Sequence, residues 1–239
     1  MMMLKFLNAK QKNSMKKLEL ILNERKLKQQ SESSIVKKII KDVIKKGDTA
    51  VINYEKKFSK TKIVSKKLKF SKKEINLISK KTDKKVKESI DLAFKRIKKF
   101  HLQQKFSSFK YKDKFKNQLS YKYSAIDRVG VYVPGGTASY PSTVLMNCIP
   151  ALVAGVKSIY LTTPALNSSV SPAIVYAAKK CGVKEIYKTG GAHSIAALAY
   201  GTKTFKKVDK IVGPGNAFVA LAKKEVFGLV GIDMIAGPS

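Results

Sequence analysis

Residues 129–226 repeat one pattern four times, and this repetition restricts the fold more than any other feature of the sequence. Each repeat has a short run rich in β-branched residues, then a turn with glycine or proline, and then an apolar helix-forming stretch. Strands that alternate with helices pair in parallel through right-handed crossovers. The pattern therefore predicts an α/β fold built on a Rossmann-like parallel sheet. The predicted strands are residues 129–133, 158–161, 185–187 and 210–212.

The first half of the chain differs in composition and is predicted to be helical. Of the 14 glycines, 13 follow residue 125, and so do all seven prolines. Apolar residues recur at helical spacing between residues 35 and 44 and stop at Gly47, a typical C-terminal cap. We expect Asp48 to cap the next, shorter helix. Further predicted elements of this half are two helices that end by residue 101 and a strand between residues 106 and 123.

A fifth repeat begins near the end of the chain. Residues 232–235 are predicted to form a strand, and Ala236-Gly237-Pro238-Ser239 its following loop. By the rhythm of the earlier repeats, a helix is expected next. We therefore expect further sequence to follow Ser239 in the complete protein.

The charge of the chain suggests nucleic-acid binding, but its distribution argues against that function. The chain has 49 Lys and Arg against 16 Asp and Glu, a formal net charge of +33 at pH 7. Only three of these basic residues are arginines, although interfaces that read base sequence favour the bidentate arginine fork. The lysines are spread along predicted helical faces. This favours a solvated lysine-rich surface over a polyanion-binding face, and predicts no specific nucleic-acid partner.

Targeting and redox features indicate a cytoplasmic protein without a membrane partner. The longest apolar stretch, residues 144–156, is broken by Asn147 and Pro150 and is too short to span a bilayer. No apolar segment with a small-residue cleavage site follows the first methionines, so no secretory signal is predicted. The two cysteines, Cys148 and Cys181, lie far apart in no ligand-like spacing, which predicts reduced, buried thiols.

Three of the turns after the predicted strands contain glycine, in the sequences PGG, TGGAH and GPGN. In open α/β sheets, ligands bind beyond the carboxyl ends of the strands, and glycine lets backbone amides approach an anion at the start of a helix. The three turns together predict a phosphate or dinucleotide site at this edge. The GxGxxG pattern of the usual dinucleotide-binding turn is absent, so an ordinary Rossmann mode of binding is not predicted.

Three side chains beside these turns are candidates for ligand contacts. Tyr132 precedes the PGG turn, where its ring either contacts a ligand or packs in the core. His193 and Asn216 stand at predicted helix starts, where each either meets a ligand or caps its helix. His101 is interpreted as a cap or surface residue. Because no paired carboxylates, metal-ligand cluster or nucleophile–base pair is recognisable, residue chemistry alone predicts a binding surface without a catalyst.

Several long motifs resemble histidinol dehydrogenase, in the order of that family. They are RVGVYVPGG, STVLMNCIPALVAGV, GGAHSIAALAYGT, VDKIVGPGNAFVALAKKEVFG and IDMIAGPS, and residues 43–50 agree more loosely. The resemblance implies a zinc-dependent enzyme of histidine biosynthesis that oxidises L-histidinol to L-histidine in two steps and reduces two NAD. It also implies a cytosolic homodimer with two similar Rossmann-like domains, the second inserted into the first.

On that basis the resemblance implies a division of this chain. Residues 1–128 are expected to form a helical amino-terminal region and the first part of the first Rossmann-like domain. Residues 129–237 are expected to form the inserted domain. Residues 238–239 would begin the return to the first domain, which is then incomplete in this chain.

The resemblance also implies roles for single residues. Tyr132 and Asn216 match NAD-contacting positions, and His193 stands where the family usually has an NAD-contacting glutamine. Ser239 matches a substrate-contacting serine. The family's catalytic Glu-His pair and zinc ligands follow the AGPS motif, so no catalytic or metal-binding residue is assigned here. We expect this chain to be inactive alone; the alternative is a non-catalytic module that binds a nucleotide or another anion.

Overall fold

The computed structural model describes residues 7–59, 67–135, 139–165 and 169–234. Within these ranges the chain forms eight helices, one five-stranded sheet and one two-stranded sheet. None of the described helices is both long and apolar enough to cross a membrane. The helices are α1 (Ser14–Lys46), α2 (Asp48–Phe58), α3 (Lys72–Lys80), α4 (Lys84–Leu102), α5 (Pro141–Val153), α6 (Pro172–Lys180), α7 (Gly191–Tyr200) and α8 (Ala217–Val226). The strands are β1 (Phe109–Lys112), β2 (Gln118–Tyr121), β3 (Arg128–Tyr132), β4 (Ser158–Thr162), β5 (Glu185–Tyr187), β6 (Lys210–Val212) and β7 (Gly231–Ile232).

The five-stranded sheet is parallel throughout and has the strand order β5-β4-β3-β6-β7. The chain builds outward from β3, first to β4 and β5 on one side and then to β6 and β7 on the other. The order therefore reverses at β3, and ligands of such sheets bind at the carboxyl end of that position. The predicted α/β class with a Rossmann-like parallel sheet is confirmed. The last residue of the predicted fifth strand, Ile235, lies outside the described residues.

Helices cover both faces of the sheet and enclose two apolar clusters. On one face, α7 and α8 pack side by side under the sheet, α1 packs against both of them, and α2 packs against α7. On the other face, α5 and α6 are covered in the same way by α3 and α4. The amino-terminal helices α1–α4 thus form an outer layer on both faces of the sheet, and α1 and α2 reach its carboxyl edge. The division into residues 1–128, 129–237 and 238–239 stays a prediction.

The predicted cap at Asp48 is wrong. Gly47, at φ +52°, is the N-cap of α2, and no side chain bonds the free amides there. The Asp48 carboxylate instead accepts hydrogen bonds from the hydroxyls of Thr202 and Thr204, the second at 2.6 Å. It therefore ties the start of α2 to the loop after α7, a long-range contact that helix-capping rules do not include.

The predicted strand between residues 106 and 123 is a two-stranded antiparallel sheet. β1 and β2 pair from Phe109–Tyr121 to Lys112–Gln118, and all of their residues are exposed. The rings of Phe109 and Tyr121 stack with centroids 5.9 Å apart. The alternation in the sequence thus reflects stacked aromatic residues on an exposed hairpin.

Candidate functional site

A cavity of about 590 Å³ lies at the carboxyl edge of the parallel sheet. Its walls include the turns after β3, β4, β5 and β6 and the starts of α7 and α8, and the remaining wall comes from α1 and the end of α2. This volume is in the range of small-molecule sites. The three predicted glycine turns therefore meet at one cavity, although Gly136 of the PGG turn lies outside the described residues. Residues of the turns and of α8 in the wall are Pro134, Gly135, Pro164, Gly190, Gly191, Asn216 and Phe218.

Tyr132, the last residue of β3, is both a core residue and part of the cavity wall. Its side chain is 4% exposed, and its hydroxyl accepts a hydrogen bond of 3.2 Å from the backbone N–H of Gly191. Burial raises the pKa of this hydroxyl; the Gly191 bond lowers it less, and the charge of Glu55 also raises it. The hydroxyl therefore keeps its proton at neutral pH and can donate a hydrogen bond to a ligand.

Asn216 caps α8 and also lines the cavity. Its Oδ1 accepts a hydrogen bond of 3.1 Å from the backbone N–H of Val219, which satisfies one of the free amides of the helix. The side-chain amide keeps its NH₂ group as a donor for a ligand. The cap and the ligand contact are thus compatible at this residue.

His193 lies in the first turn of α7 and is buried, at 2% exposed. Its predicted capping role is wrong, because Gly190 is the N-cap and no side chain caps this helix. The Nε2 atom instead lies 2.9 Å from Oε1 of Glu55, and the ring stacks on Tyr54 with centroids 5.9 Å apart. Its Nδ1 atom is buried and has no hydrogen-bond partner within the described part of the chain.

Sequence reasoning missed Glu55, which the fold buries completely beneath the TGGAH turn. Its Oε1 accepts a hydrogen bond of 2.7 Å from the backbone N–H of Gly190 in addition to the contact with His193. Burial raises the pKa of this carboxyl, but the contact with His193, with bonds from Ser59 and Gly190, outweighs burial and lowers the pKa from its ordinary value of 4.5. One signal was available: Glu55 follows Val51 by one turn on the apolar face of α2, where a carboxylate needs a buried partner.

Three backbone amides of the glycine turns already donate to acceptors within the protein. The N–H of Gly190 donates to Glu55, that of Gly191 donates to the Tyr132 hydroxyl, and that of Gly213 donates to Asp233 at 2.7 Å. Protein acceptors therefore occupy all three groups. The positive charges of the cavity wall come from Lys38 on α1 and Lys57 on α2.

A buried lysine holds the GPGN turn in place. Lys223, on α8, donates to the carbonyl oxygen of Gly213 at 3.0 Å and to Asp233. Gly213 has φ +111°, and a Cβ built there would lie 2.1 Å from the carbonyl oxygen of Tyr132. The turn after β6 therefore lies directly against the end of β3, which brings Asn216 to the same cavity as Tyr132.

The remaining predicted residues lie away from this cavity or outside the described ranges. Ser239 belongs to the undescribed residues. His101 is partly exposed at the end of α4, where its Nδ1 lies 2.6 Å from Oε1 of Gln104. In the described part of the chain, no three His, Cys, Asp or Glu side chains lie close enough together to hold a metal ion.

Both cysteines are buried free thiols, as predicted. The fold brings them into contact although they are far apart in sequence. The hydrogen bond with Cys181, with burial, raises the pKa of the Cys148 thiol well above its ordinary value. The thiol therefore stays protonated and inert at neutral pH.

The parallel sheet, its reversal at β3 and the cavity at its carboxyl edge define a Rossmann-like α/β protein with a cavity of small-molecule size. The model of the family described as histidinol dehydrogenase matches residues 22–239 of the chain. The chain therefore belongs to the histidinol dehydrogenase family, as the motifs predicted.

Individual relatives agree with this assignment. The histidinol dehydrogenase of Pelagibacter ubique (strain HTCC1062) is 56% identical over 238 residues, which are 99% of this chain and 55% of the relative. That of Bacillus subtilis (strain 168) is 50% identical over 211 residues, 88% of this chain and 49% of the relative. A crystal structure of histidinol dehydrogenase from Elizabethkingia anophelis superposes with a TM-score of 0.82 at 39% identity, covering 86% of this chain and 48% of that one. The chain thus spans about half the length of the curated relatives it matches.

Proposed function

We propose that this chain forms the NAD-binding part of a histidinol dehydrogenase, an oxidoreductase that converts L-histidinol to L-histidine. One observation carries the proposal: a single cavity gathers Tyr132, His193 and Asn216 from three different strand–helix units. These are the positions for which the resemblance implies NAD contacts. When bound, NAD supplies the hydride acceptor for the oxidation.

The cavity wall suits a dinucleotide. After their internal hydrogen bonds are made, the Tyr132 hydroxyl keeps its O–H donor and the Asn216 amide keeps the two N–H donors of its NH₂ group. Phe58 and Phe218 give the wall apolar surface for a base or ring, and Lys38 and Lys57 give it positive charge for phosphates. The orphaned Nδ1 of His193 is a buried polar atom that a ligand can satisfy.

Further parts of the proposal rest on the resemblance alone. The resemblance implies zinc ligands after the AGPS motif, so zinc contact is assigned to no described residue. Contact between Ser239 and the substrate, assembly as a homodimer and a cytoplasmic location are proposed on the same basis. Light scattering after size-exclusion chromatography measures the assembly state.

Calorimetric titration with NADH tests the cofactor site. We expect saturable binding that Tyr132→Phe weakens about fivefold, the worth of a hydrogen bond of about 1 kcal/mol. Tyr121→Phe, on the exposed strand β2, is the matched control and is expected to bind as the wild type does. A folded wild-type chain that shows no saturable NADH binding would overturn the proposal.

Reduction of NAD on addition of L-histidinol and zinc tests the reaction itself, with the Pelagibacter ubique relative as positive control. From the resemblance, we expect this chain to bind NADH without turnover when it is alone. Co-expression with the remaining half of that relative should restore turnover if the chain serves a dehydrogenase. Persistent binding without turnover in the mixed protein would favour the non-catalytic binding module.

A further inference from the structure

Glu55 stands where a Rossmann-like protein commonly receives a ligand phosphate, at the amino end of the helix that follows a glycine turn. Its carboxylate is fully buried, and its Oε1 accepts the N–H of Gly190 at 2.7 Å. The protein therefore supplies its own anion to the start of α7. A phosphate at the same place would meet this buried charge at short range and be repelled.

The same oxygen fixes the proton on the ring of His193. A carboxylate oxygen only accepts hydrogen bonds, so the Nε2 atom 2.9 Å away must carry a proton. Among the described residues, Nδ1 has no acceptor beside it, so a proton there would be a buried donor without a partner. With the proton on Nε2, Nδ1 is then a bare acceptor. This atom is buried without a partner, and it lies next to Gly191, which lines the cavity.

We propose that Glu55 is a positioning residue that makes Nδ1 of His193 a hydrogen-bond acceptor, so that this part of the cavity takes a donor such as a carboxamide or a hydroxyl and excludes phosphate. The identity of the ligand rests on the proposed function, whereas the position of the proton does not. Lys38 and Lys57, elsewhere in the wall, remain as the partners for phosphate.

Ring ¹⁵N shifts test the position of the proton without any ligand. The chain has two histidines, so protein labelled with ¹⁵N-histidine gives two ring systems, and His193→Gln identifies the one from His193. We expect this ring, at neutral pH, to carry its proton on Nε2 and none on Nδ1. A proton on Nδ1, on both nitrogens, or in rapid exchange between them would overturn the inference.

A double-mutant cycle tests whether Glu55 acts through His193. Glu55→Gln keeps the shape of the side chain and removes its charge, and we expect it to weaken NADH binding about fivefold. In a His193→Gln background the loss should fall below about twofold, because a glutamine amide presents an oxygen acceptor without help from a carboxylate. Equal losses in both backgrounds would mean that Glu55 acts only on the fold, and would contradict the inference.

Glu225→Gln is the matched control for this cycle, since it removes a carboxylate of α8 that pairs with Lys37 at 3.8 Å, away from the cavity. It should leave NADH binding unchanged. If Glu55→Gln fails to fold, the ring shifts of the wild type still decide the position of the proton.

Inorganic phosphate is the probe for the excluded ligand class. Its titration into labelled wild-type protein should leave the ring of His193 and the amides of Gly190 and Gly191 unshifted, and saturable shifts there would overturn the exclusion. A chain that binds no NADH, yet keeps the proton on Nε2 and rejects phosphate, would contradict the proposed function and support the assignment of Glu55.

Discussion

In the proposed cofactor site, two residues divide their hydrogen-bonding capacity between the fold and the ligand. Tyr132 accepts a bond from Gly191 and keeps its own proton, while Asn216 uses its oxygen for Val219 and keeps its NH₂ group. A substitution at either residue therefore changes stability and binding together. A useful variant must separate the two effects.

Asn216 allows that separation. Asn216→Ala removes both the cap and the amide donor, so we expect it to lower the free energy of unfolding by about 1 kcal/mol and to weaken NADH binding. Asn216→Ser keeps a capping oxygen, and should weaken binding equally while it unfolds near the wild-type midpoint. Urea unfolding and calorimetry measure the two quantities. Equal losses of stability in both variants would show that the bond to Val219 does not stabilise α8.

Glu55 should link the stability of the fold to pH. Its folded pKa is lower than the ordinary 4.5, so between these two values the unfolded chain binds a proton that the folded chain does not. The stability from this carboxylate is therefore complete above the ordinary value and is lost as the pH falls through the folded pKa. We expect Glu55→Gln to cost about 1–3 kcal/mol at neutral pH and less in acid. A cost of Glu55→Gln that is independent of pH would contradict this linkage.

The candidate site shows how far residue-level prediction reaches. Tyr132, His193 and Asn216 lie within recognisable motifs, so the sequence was sufficient to find them. Glu55 is 138 residues from His193 in the chain, and no local pattern connects the two. Their pairing follows from the packing of α2 on α7, which only the folded structure supplies.

At the scale of elements, the strand–helix repeats were predictable because each apolar run and its turn are close in sequence. The short extended segment before α3, residues 68–70, was not predictable from the sequence. There, the N–H of Phe70 donates to Ile186 at 3.0 Å, and Leu68 accepts from Lys188 at 2.7 Å, so this segment covers the β5 edge of the sheet. Two paired residues give no periodic signal, although they close an edge that would otherwise be open to another chain.

Gly213 should be the turn residue least tolerant of a side chain. A Cβ there meets the Tyr132 carbonyl oxygen at 2.1 Å, at φ +111°. Gly228 is the matched control, because it has φ +97° but nothing within 4 Å of its Cβ position. We expect Gly228→Ala to cost about 1 kcal/mol through backbone strain. Gly213→Ala should cost clearly more and also weaken NADH binding, because the turn must move away from β3.

Urea unfolding and NADH titration of the two alanine variants check this expectation. Equal stability losses would show that the cost comes from backbone strain alone, and that the close approach of Gly213 to Tyr132 at the end of β3 adds nothing. Normal NADH binding by a destabilised Gly213→Ala protein would show that the position of the GPGN turn does not affect NADH binding.

For the whole molecule, the dominant physical feature is unbalanced charge. The 16 acidic residues leave a net charge of +33 from 49 basic residues, although some of them form pairs such as Lys180–Asp91 at 3.1 Å. Such a surface attracts anionic ligands and also repels itself, which destabilises the compact state. Salt screens both interactions, so it should lower the affinity for anionic ligands and raise the stability of the fold.

The midpoint of thermal unfolding should therefore rise as NaCl is added from low ionic strength, while the affinity for NADH falls. The repulsion is between exposed charges, and the Debye length shrinks to about 10 Å at 0.1 M salt. Lys95→Glu combined with Lys99→Glu, on the exposed side of α4, should flatten the dependence of the midpoint on salt. The same two positions changed to arginine keep the charge and should keep the wild-type slope. A midpoint that falls with salt, or equal slopes in the two double variants, would mean that surface repulsion does not limit the stability of this fold.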